Sequence, residues 1–485
     1  MSLLDFFKKS PPKKVPLRFH NTLSGELESF TPLNGGPVKM YNCGPTVYDF
    51  QHIGNLKAYI FADTIKRSLA LWGHKTKQVI NITDVGHLVS DNDDGEDKME
   101  VGAKKRGQTV EEVVQEVTAA FFEDLDALNI NRETISFPRA TEYIGEQIAL
   151  VQSLEEKGYT YQIEDGVYFD TSKFKEYGKL GNIDIHGQEE GARIGVVAGK
   201  RNLSDFALWK FSPKDEKREQ EWNSPWGIGF PGWHLECTAM IFKLLGRQID
   251  IHTGGIDHIP VHHNNEIAQA EAATQKQYVK YWMHGAFITI EGKKISKSLG
   301  NTIYLHSIIE RGFSPLAFRY LLLTAHYRTQ LNFTWTALEG AAQALTRLYR
   351  IIHEDLPKTG NASEAFTKKF DEVIAEDLNT PAAIALVWEM LKDPKVTPNE
   401  KRGNLLYADR IFGLDLGGKK RHAGMKSISV IPFTELPESI REQVAARETA
   451  RKERNFAEAD TLRDEVKKAG YEIKDTDEGP TVIKI

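Results

Sequence analysis

Cysteine is almost absent: the chain holds two in 485 residues, at positions 43 and 237. Two thiols cannot staple a small secreted fold, so a disulfide framework is excluded and a reducing, cytoplasmic location is expected. Long apolar runs are missing too. None approaches the ~18 residues of a membrane span. The opening "MSLLDFFKKSPPKKVP" has only a brief apolar patch before its lysines and prolines. Neither a secretory leader nor a membrane partner is expected. Nor is positive charge in excess. The net charge is −6, so a nucleic-acid partner must be argued from local basic patches. No internal repeat, low-complexity tract or P-loop sequence G-x-x-x-x-G-K-[ST] occurs. What remains is a chain with 40% hydrophobic and 27% charged residues, long enough for three or more folding units around real cores.

The clearest local pattern lies early. "VKMYNC" (38–43) reads as a strand. Ala58, Phe61, Ala62, Ile65, Leu69 and Trp72 then fall on one helical face, stopped by Gly73. "KQVINIT" (77–83) reads as the next strand. Strand, glycine turn, helix and strand make a βαβ unit, which predicts a doubly wound parallel sheet. Residues 84–107 are polar and acidic and are expected to form a mobile surface loop. A calcium loop is excluded there, because aligning Gly95 with the required glycine puts Val101 where the bidentate Glu belongs. A helix is predicted over 109–128. Residues 130 to about 225 look inserted, with a helix (142–157) and a strand (166–170), and the parent sheet returns at "QIDIHTGG" (248–255). From about 305 the pattern is helical, including 337–352. Residues 416–429 read as a linker, followed by one charged helix (about 436–469) and a strand-like end.

The second cysteine sits in "GWHLECTAM" (232–240), and "PVHHNNEIAQAEAA" (260–273) follows. A helix starting near His262 would put His262 and Glu266 on one side, at i and i+4. With Cys43 and Cys237 they would make a sensible zinc donor set. The ligands are far apart in sequence, and from spacing alone a pair of buried thiols and two unrelated polar residues is the better reading. His263-x-x-Glu266 opens an inverted zinc-protease motif, but Ile267 stands where its second histidine belongs.

Two further segments suit phosphate. "HIGN" (52–55) lies at a helix start, where unpaired N–H groups favour an anion and Gly54 permits close approach. "GKKISKSLGN" (292–301) brackets Ser296 and Ser298 with Lys294 and Lys297. Each alone also reads as an ordinary capping turn or a solvated charged turn.

Together, "HIGN" and "KISKS" match the two signatures of class I aminoacyl-tRNA synthetases. "CGPTVYDFQHIGN", "NITD" (81–84), "PGWHLEC" (231–237), "DIHTGGID" (250–257), "HHNNEIAQ" (262–269), "HYRTQLNF" (326–333), "DLNTP" (377–381) and "FAEADTLRDE" (456–465) follow in order. Over roughly 30–477 the chain resembles the cysteinyl-tRNA synthetase family. It departs in ending the first signature with Asn55 rather than His, and in the segment "VGHLVSDNDDGEDKM" after "NITD".

The resemblance implies an α/β fold: a Rossmann-type parallel-sheet catalytic domain with a connective insertion, then an α-helical bundle and a small C-terminal domain. Its expected divisions are an N-terminal extension (1–30), a first half with "HIGN" (31–130), the insertion (131–225) and a second half with the zinc ligands (226–290). The "KISKS" loop and stem-contact region (291–320), a helical anticodon-side bundle (321–415), a linker (416–430) and a tRNA-binding domain (431–485) would follow. It implies one Zn2+ on Cys43, Cys237, His262 and Glu266, binding the substrate's sulfur, and Mg2+ with ATP. Catalytic residues would be His52, Asn55, Lys294 and Lys297. ATP would meet Gly44, Thr46, His52, Gly54, Asn55, Asp257 and Lys297, and L-cysteine would meet Thr83 and Trp233. The implied reaction ligates L-cysteine to tRNA(Cys) through cysteinyl adenylate, in a monomeric enzyme. A single basic face including Arg447, Arg451 and Arg454 could track phosphates, although a solvated helix with i,i+4 pairs reads similarly. Two rivals share much of this pattern: a ligase joining cysteine to an amino sugar in thiol biosynthesis, and a non-catalytic RNA-binding paralogue.

Overall fold

A computed structural model describes residues 14–86, 97–183, 199–213, 218–296, 300–418, 430–431, 433, 436–453, 455–476 and 479–484. The chain divides into two units, 1–418 and 419–485.

The first unit opens with a hairpin, β1 (Arg18–Asn21) and β2 (Glu26–Ser29). These residues are no free extension. Phe19 is fully buried, and Thr22 N–H donates to the Trp282 carbonyl at 2.8 Å. The expected βαβ unit follows as β3 (Val38–Asn42), α1 (Ile53–Leu71) and β4 (Thr76–Ile80). Gly73, at φ 84°, supplies the left-handed turn after the helix.

The segment read as a loop over 84–107 is partly helical. Its residues 87–96 lie outside the described residues, but α2 spans Lys98–Arg106. Asp97 caps it, accepting from Met99 N–H at 2.7 Å and Glu100 N–H at 3.2 Å. Composition hid this N-cap signal among neighbouring acids. Next come α3 (Val110–Ala127), β5 (Ile135–Ser136) and α4 (Ile144–Glu156). Because β5 pairs in parallel with β4, the start of the expected insertion belongs to the parent sheet.

The inserted sheet is formed by β6 (Thr160–Ile163), β7 (Gly166–Phe169), β8 (Phe206–Phe211), β9 (Trp222–Ser224) and β10 (Gly227–Pro231). Its order is β6-β7-β8-β10-β9, all antiparallel, and it runs past the expected end at 225. The parent sheet resumes with α5 (Trp233–Leu244), β11 (Ile249–Gly255), α6 (Asn264–Thr274) and β12 (Val279–Gly285). Its five strands are all parallel, in the order β12-β11-β3-β4-β5. Order reverses between β3 and β11, the switch point where open α/β sheets place ligands beyond the strands' carboxyl ends. Strands buried on both faces carry Met40, Tyr41, Val79, Ile249 and Ile251 into the core.

A small sheet, β14-β13-β15, joins β13 (Ile288–Ile290), β14 (Lys293–Lys294) and β15 (Leu331–Phe333), with α7 (Leu305–Glu310) and α8 (Pro315–Leu323) between. The helical region is α9 (Trp335–Arg350), α10 (Glu364–Ala375), α11 (Thr380–Lys392) and α12 (Pro398–Phe412).

In the second unit β16 (Val430–Ile431), β17 (Tyr471–Thr476) and β18 (Gly479–Lys484) form an antiparallel sheet in the order β16-β18-β17. The single charged helix expected there is two, α13 (Glu438–Lys452) and α14 (Phe456–Lys468). Asn455 restarts the chain by capping Glu458 N–H. Arg447 is not part of an exposed basic face: it is 3% exposed and paired with Glu448 at 2.6 Å. Arg454 lies outside the described residues.

Candidate active site and metal centre

A cleft of about 700 Å³ opens at the carboxyl ends of β3, β4, β11 and β12. The stretch 43–55 forms one wall. Gly44 is pressed against β4's continuation: a Cβ there would lie 1.5 Å from the Asn81 carbonyl oxygen, so no other residue fits without moving the chain. Its N–H donates to Asn81 Oδ1 at 2.8 Å. Thr46 forms a parallel bridge with Thr83, so both stand beside the cleft.

His52 is the N-cap of α1, and with Asn55 it closes a capping box. Asn55 N–H donates to His52 Nδ1 and His52 N–H to Asn55 Oδ1, each at 3.2 Å. The two signatures meet at Gly54. A Cβ there would lie 2.9 Å from His52 Cε1 and 3.1 Å from Ile295 Cδ1 of the second signature. Ile53 N–H also donates to the Ile303 carbonyl at 2.9 Å. Lys294 is exposed on β14 and lines the same cleft. Asn301 folds this segment by donating to the Lys294 carbonyl and accepting from Ser296 N–H, both at 2.9 Å. Lys297 lies outside the described residues. Asp257, exposed just beyond β11, lines the opposite side.

The four expected metal ligands converge. Cys43 follows β3, Cys237 is on α5, His262 lies in a π-helical turn (Ile259–His263), and Glu266 is in the first turn of α6. Their donor atoms all lie within 4.8 Å of one another. Glu266 Oε1 is 3.1 Å from His262 Nε2, and Cys237 Sγ is 3.7 Å from the same nitrogen. Trp233 stacks on the His262 ring, with centroids 4.5 Å apart.

Electrostatics suit a cation. Burial pushes the Cys43 thiol upward, while Cys237 is drawn down to about 7, first by its hydrogen bond with Cys43 and then by His262. Burial works against the His262 cation, but Cys237 and Glu266 lift it to about 10. Burial likewise opposes the Glu266 anion, yet His252 and His262 hold it at about 2. Glu266 Oε1 is fully buried and, despite its closeness to His262, makes no well-aligned hydrogen bond. Two thiols, an imidazole and an under-bonded carboxylate oxygen at one point fit a tetrahedral zinc ion.

Several residues here carry no assigned role in the sequence reading. His252 Nε2 is 3.1 Å from Glu266 Oε2, and His263 Nε2 is 3.3 Å from Cys43 Sγ. With Cys43 and Glu266 they form a second overlapping donor group. Both sit inside the quoted motifs, as the histidine of "DIHTGG" and the second of "HHNN", so motif position was their only signal. Lys57 is buried under the cleft and donates to the Ala286 carbonyl at 2.6 Å, tying α1 to the segment after β12.

A parallel sheet with its cleft at the switch point and two signatures facing one another defines a class I tRNA synthetase. A family profile described as "tRNA synthetases class I (C) catalytic domain" matches residues 29–343, and "Cysteinyl-tRNA ligase anticodon binding domain" matches 434–482. The chain belongs to the cysteine–tRNA ligase family. It is 45% identical to cysteine–tRNA ligase 1 of Burkholderia lata, over 96% of each chain. With cysteine–tRNA ligase of Zymomonas mobilis it is 41% identical, over 96% of this chain and 97% of that one. Among solved structures, the Agrobacterium radiobacter K84 agnB2 LeuRS–tRNA–LeuAMS complex aligns with TM-score 0.57 and 11% identity, covering 81% of this chain and 86% of that one. Mycobacterium tuberculosis methionyl-tRNA synthetase with methionyl-adenylate aligns at 0.52 and 15%, covering 78% and 90%. These two share the fold.

Proposed function

We propose that the protein ligates L-cysteine to tRNA(Cys) in two steps, with ATP and Mg2+, through a cysteinyl adenylate. One observation carries the reading: four metal donors from distant segments converge at a cleft that also holds the start of α1. Cys43, Cys237, His262 and Glu266 would hold Zn2+, which when bound supplies a soft Lewis acid that takes a thiolate in preference to a serine hydroxyl.

The chain's own residues position the reactants. Gly44 and Gly54 let backbone approach the nucleotide, with Thr46 beside them. His52 and Asn55 orient ATP at the positive end of α1. Asp257 holds the ribose, and Trp233 and Thr83 flank the amino acid. The cysteine carboxylate attacks the α-phosphorus in line, the bond to pyrophosphate breaks, and Lys294 and Lys297 neutralise the charge that develops. A hydroxyl of the terminal tRNA ribose then attacks the acyl carbon, and AMP leaves. Discrimination against serine by shape alone would be worth only ~1–3 kcal/mol, so sulfur recognition replaces an editing step. A cytoplasmic location suits free thiols.

Amino-acid-dependent ATP–pyrophosphate exchange on purified protein, with elemental analysis, tests the reading. Exchange with cysteine, none with serine, and one zinc per chain are expected. Cysteine-independent behaviour or a zinc-free active protein would overturn it.

A further inference from the structure

Glu236 is fully buried, precedes Cys237 on α5, and has no task in the chemistry above. Its Oε2 accepts from Thr83 Oγ1 at 3.0 Å. Thr83 Oγ1 in turn accepts from Asn81 Nδ2 at 2.9 Å. The polarity of this chain is set at its far end. Gly44 N–H can only donate, so it faces Asn81 Oδ1, and the Asn81 amide nitrogen must then face Thr83. A hydroxyl has one proton and two lone pairs. Asn81 occupies one lone pair of Thr83, and the Glu236 carboxylate takes the proton. Only a lone pair is left to a ligand, and Thr83 lines the cleft beside Cys43 and Cys237.

We propose that Glu236 is a positioning residue that fixes Thr83 as an acceptor for the α-ammonium group of the amino-acid substrate. The inference rests on cysteine being that substrate. An ammonium group brings donors only, and a carboxylate brings acceptors only. Thr83 therefore receives the ammonium and turns away the carboxylate, which leaves the carboxylate free to reach ATP at the α1 side of the cleft. The negative charge one bond behind Thr83 strengthens the acceptor.

Two cysteine fragments separate this role from a merely structural one. Cysteamine keeps the thiol and ammonium, whereas 3-mercaptopropionate keeps the thiol and carboxylate. Both are measured as inhibitors of exchange by the zinc-loaded protein and by its Glu236→Gln variant, whose amide can offer Thr83 a donor instead. The KM for cysteine and the inhibition constant of cysteamine are each expected to rise ~10-fold or more, the scale of a lost charged hydrogen bond, with 3-mercaptopropionate within ~2-fold. Zinc content stays at the wild-type value. Thr83→Val should reproduce the pattern and Thr83→Ser should restore it, and this pair decides the matter if Glu236→Gln does not fold. Equal weakening of both fragments, unchanged constants, or zinc loss overturns the proposal. Wild-type protein without cysteine-dependent exchange would instead overturn the functional reading beneath it.

Discussion

Gly44 shows how closely single residues define this cleft. With an Asn81 carbonyl oxygen where its Cβ would stand, Gly44→Ala must displace the strand extension that carries Thr83. Such a shift costs adenylate formation ~100-fold or more, the scale of a ~1 Å misplacement, checked by exchange kinetics. Cys237→Ser should lower zinc content and cysteine affinity together, read by elemental analysis and the KM for cysteine; full zinc occupancy would count against its role as a ligand. Lys297→Ala should cut adenylate formation by orders of magnitude while cysteine binding survives, since the role proposed for it is on phosphate rather than on the amino acid. Equal loss of cysteine affinity would contradict that division of labour. Residue chemistry of this kind was legible in the sequence only where motif order supplied it. Cys43, Cys237, His262 and Glu266 span 224 positions, and local spacing links only His262 with Glu266.

Elements with a strong period were legible: β3, α1 and β4 follow directly from the alternation and the helical stripe. What escaped were capping and pairing. Asp97 starts α2 inside an acidic stretch, β5 contributes only two residues to the parent sheet, and Asn455 divides the terminal helix. None of these changes hydrophobic periodicity. Elements are also locked by charge. On α1, Asp63 accepts from Arg67 at 2.6 Å and from Arg319 of α8 at 2.5 Å. Arg319 is fully buried and also donates to the Phe412 and Leu128 carbonyls. Burial raises the Asp63 carboxyl, but Arg319 and Arg67 outweigh it and hold it below its ordinary value. A depressed carboxyl contributes stability that is present above the unfolded value near pH ~3.9 and is lost as pH falls through the folded one. Asp63→Asn leaves a buried guanidinium unpaired and should cost about 3–5 kcal/mol near neutrality in urea unfolding. The gap between variant and wild type should shrink below pH ~4. A constant gap across pH would contradict the ion-pair account.

On the scale of the whole molecule, every described site residue lies in the first unit, and the match to an anticodon-binding domain lies in the second. Truncation after Gly418 should therefore leave cysteine-dependent exchange within ~3-fold but lower kcat/KM for tRNA charging by ~10-fold or more, about 1.4 kcal/mol of lost acceptor binding. Equal loss in both assays would mean that the second unit supports the catalytic fold itself. The account as a whole depends on sulfur meeting metal at the Cys43–Cys237–His262–Glu266 point. X-ray absorption at the zinc edge tests this most directly. Two sulfur and two lighter neighbours are predicted for the zinc-loaded protein, three sulfurs after adding cysteine, and no change with serine. A sulfur number that stays at two with cysteine bound would contradict it.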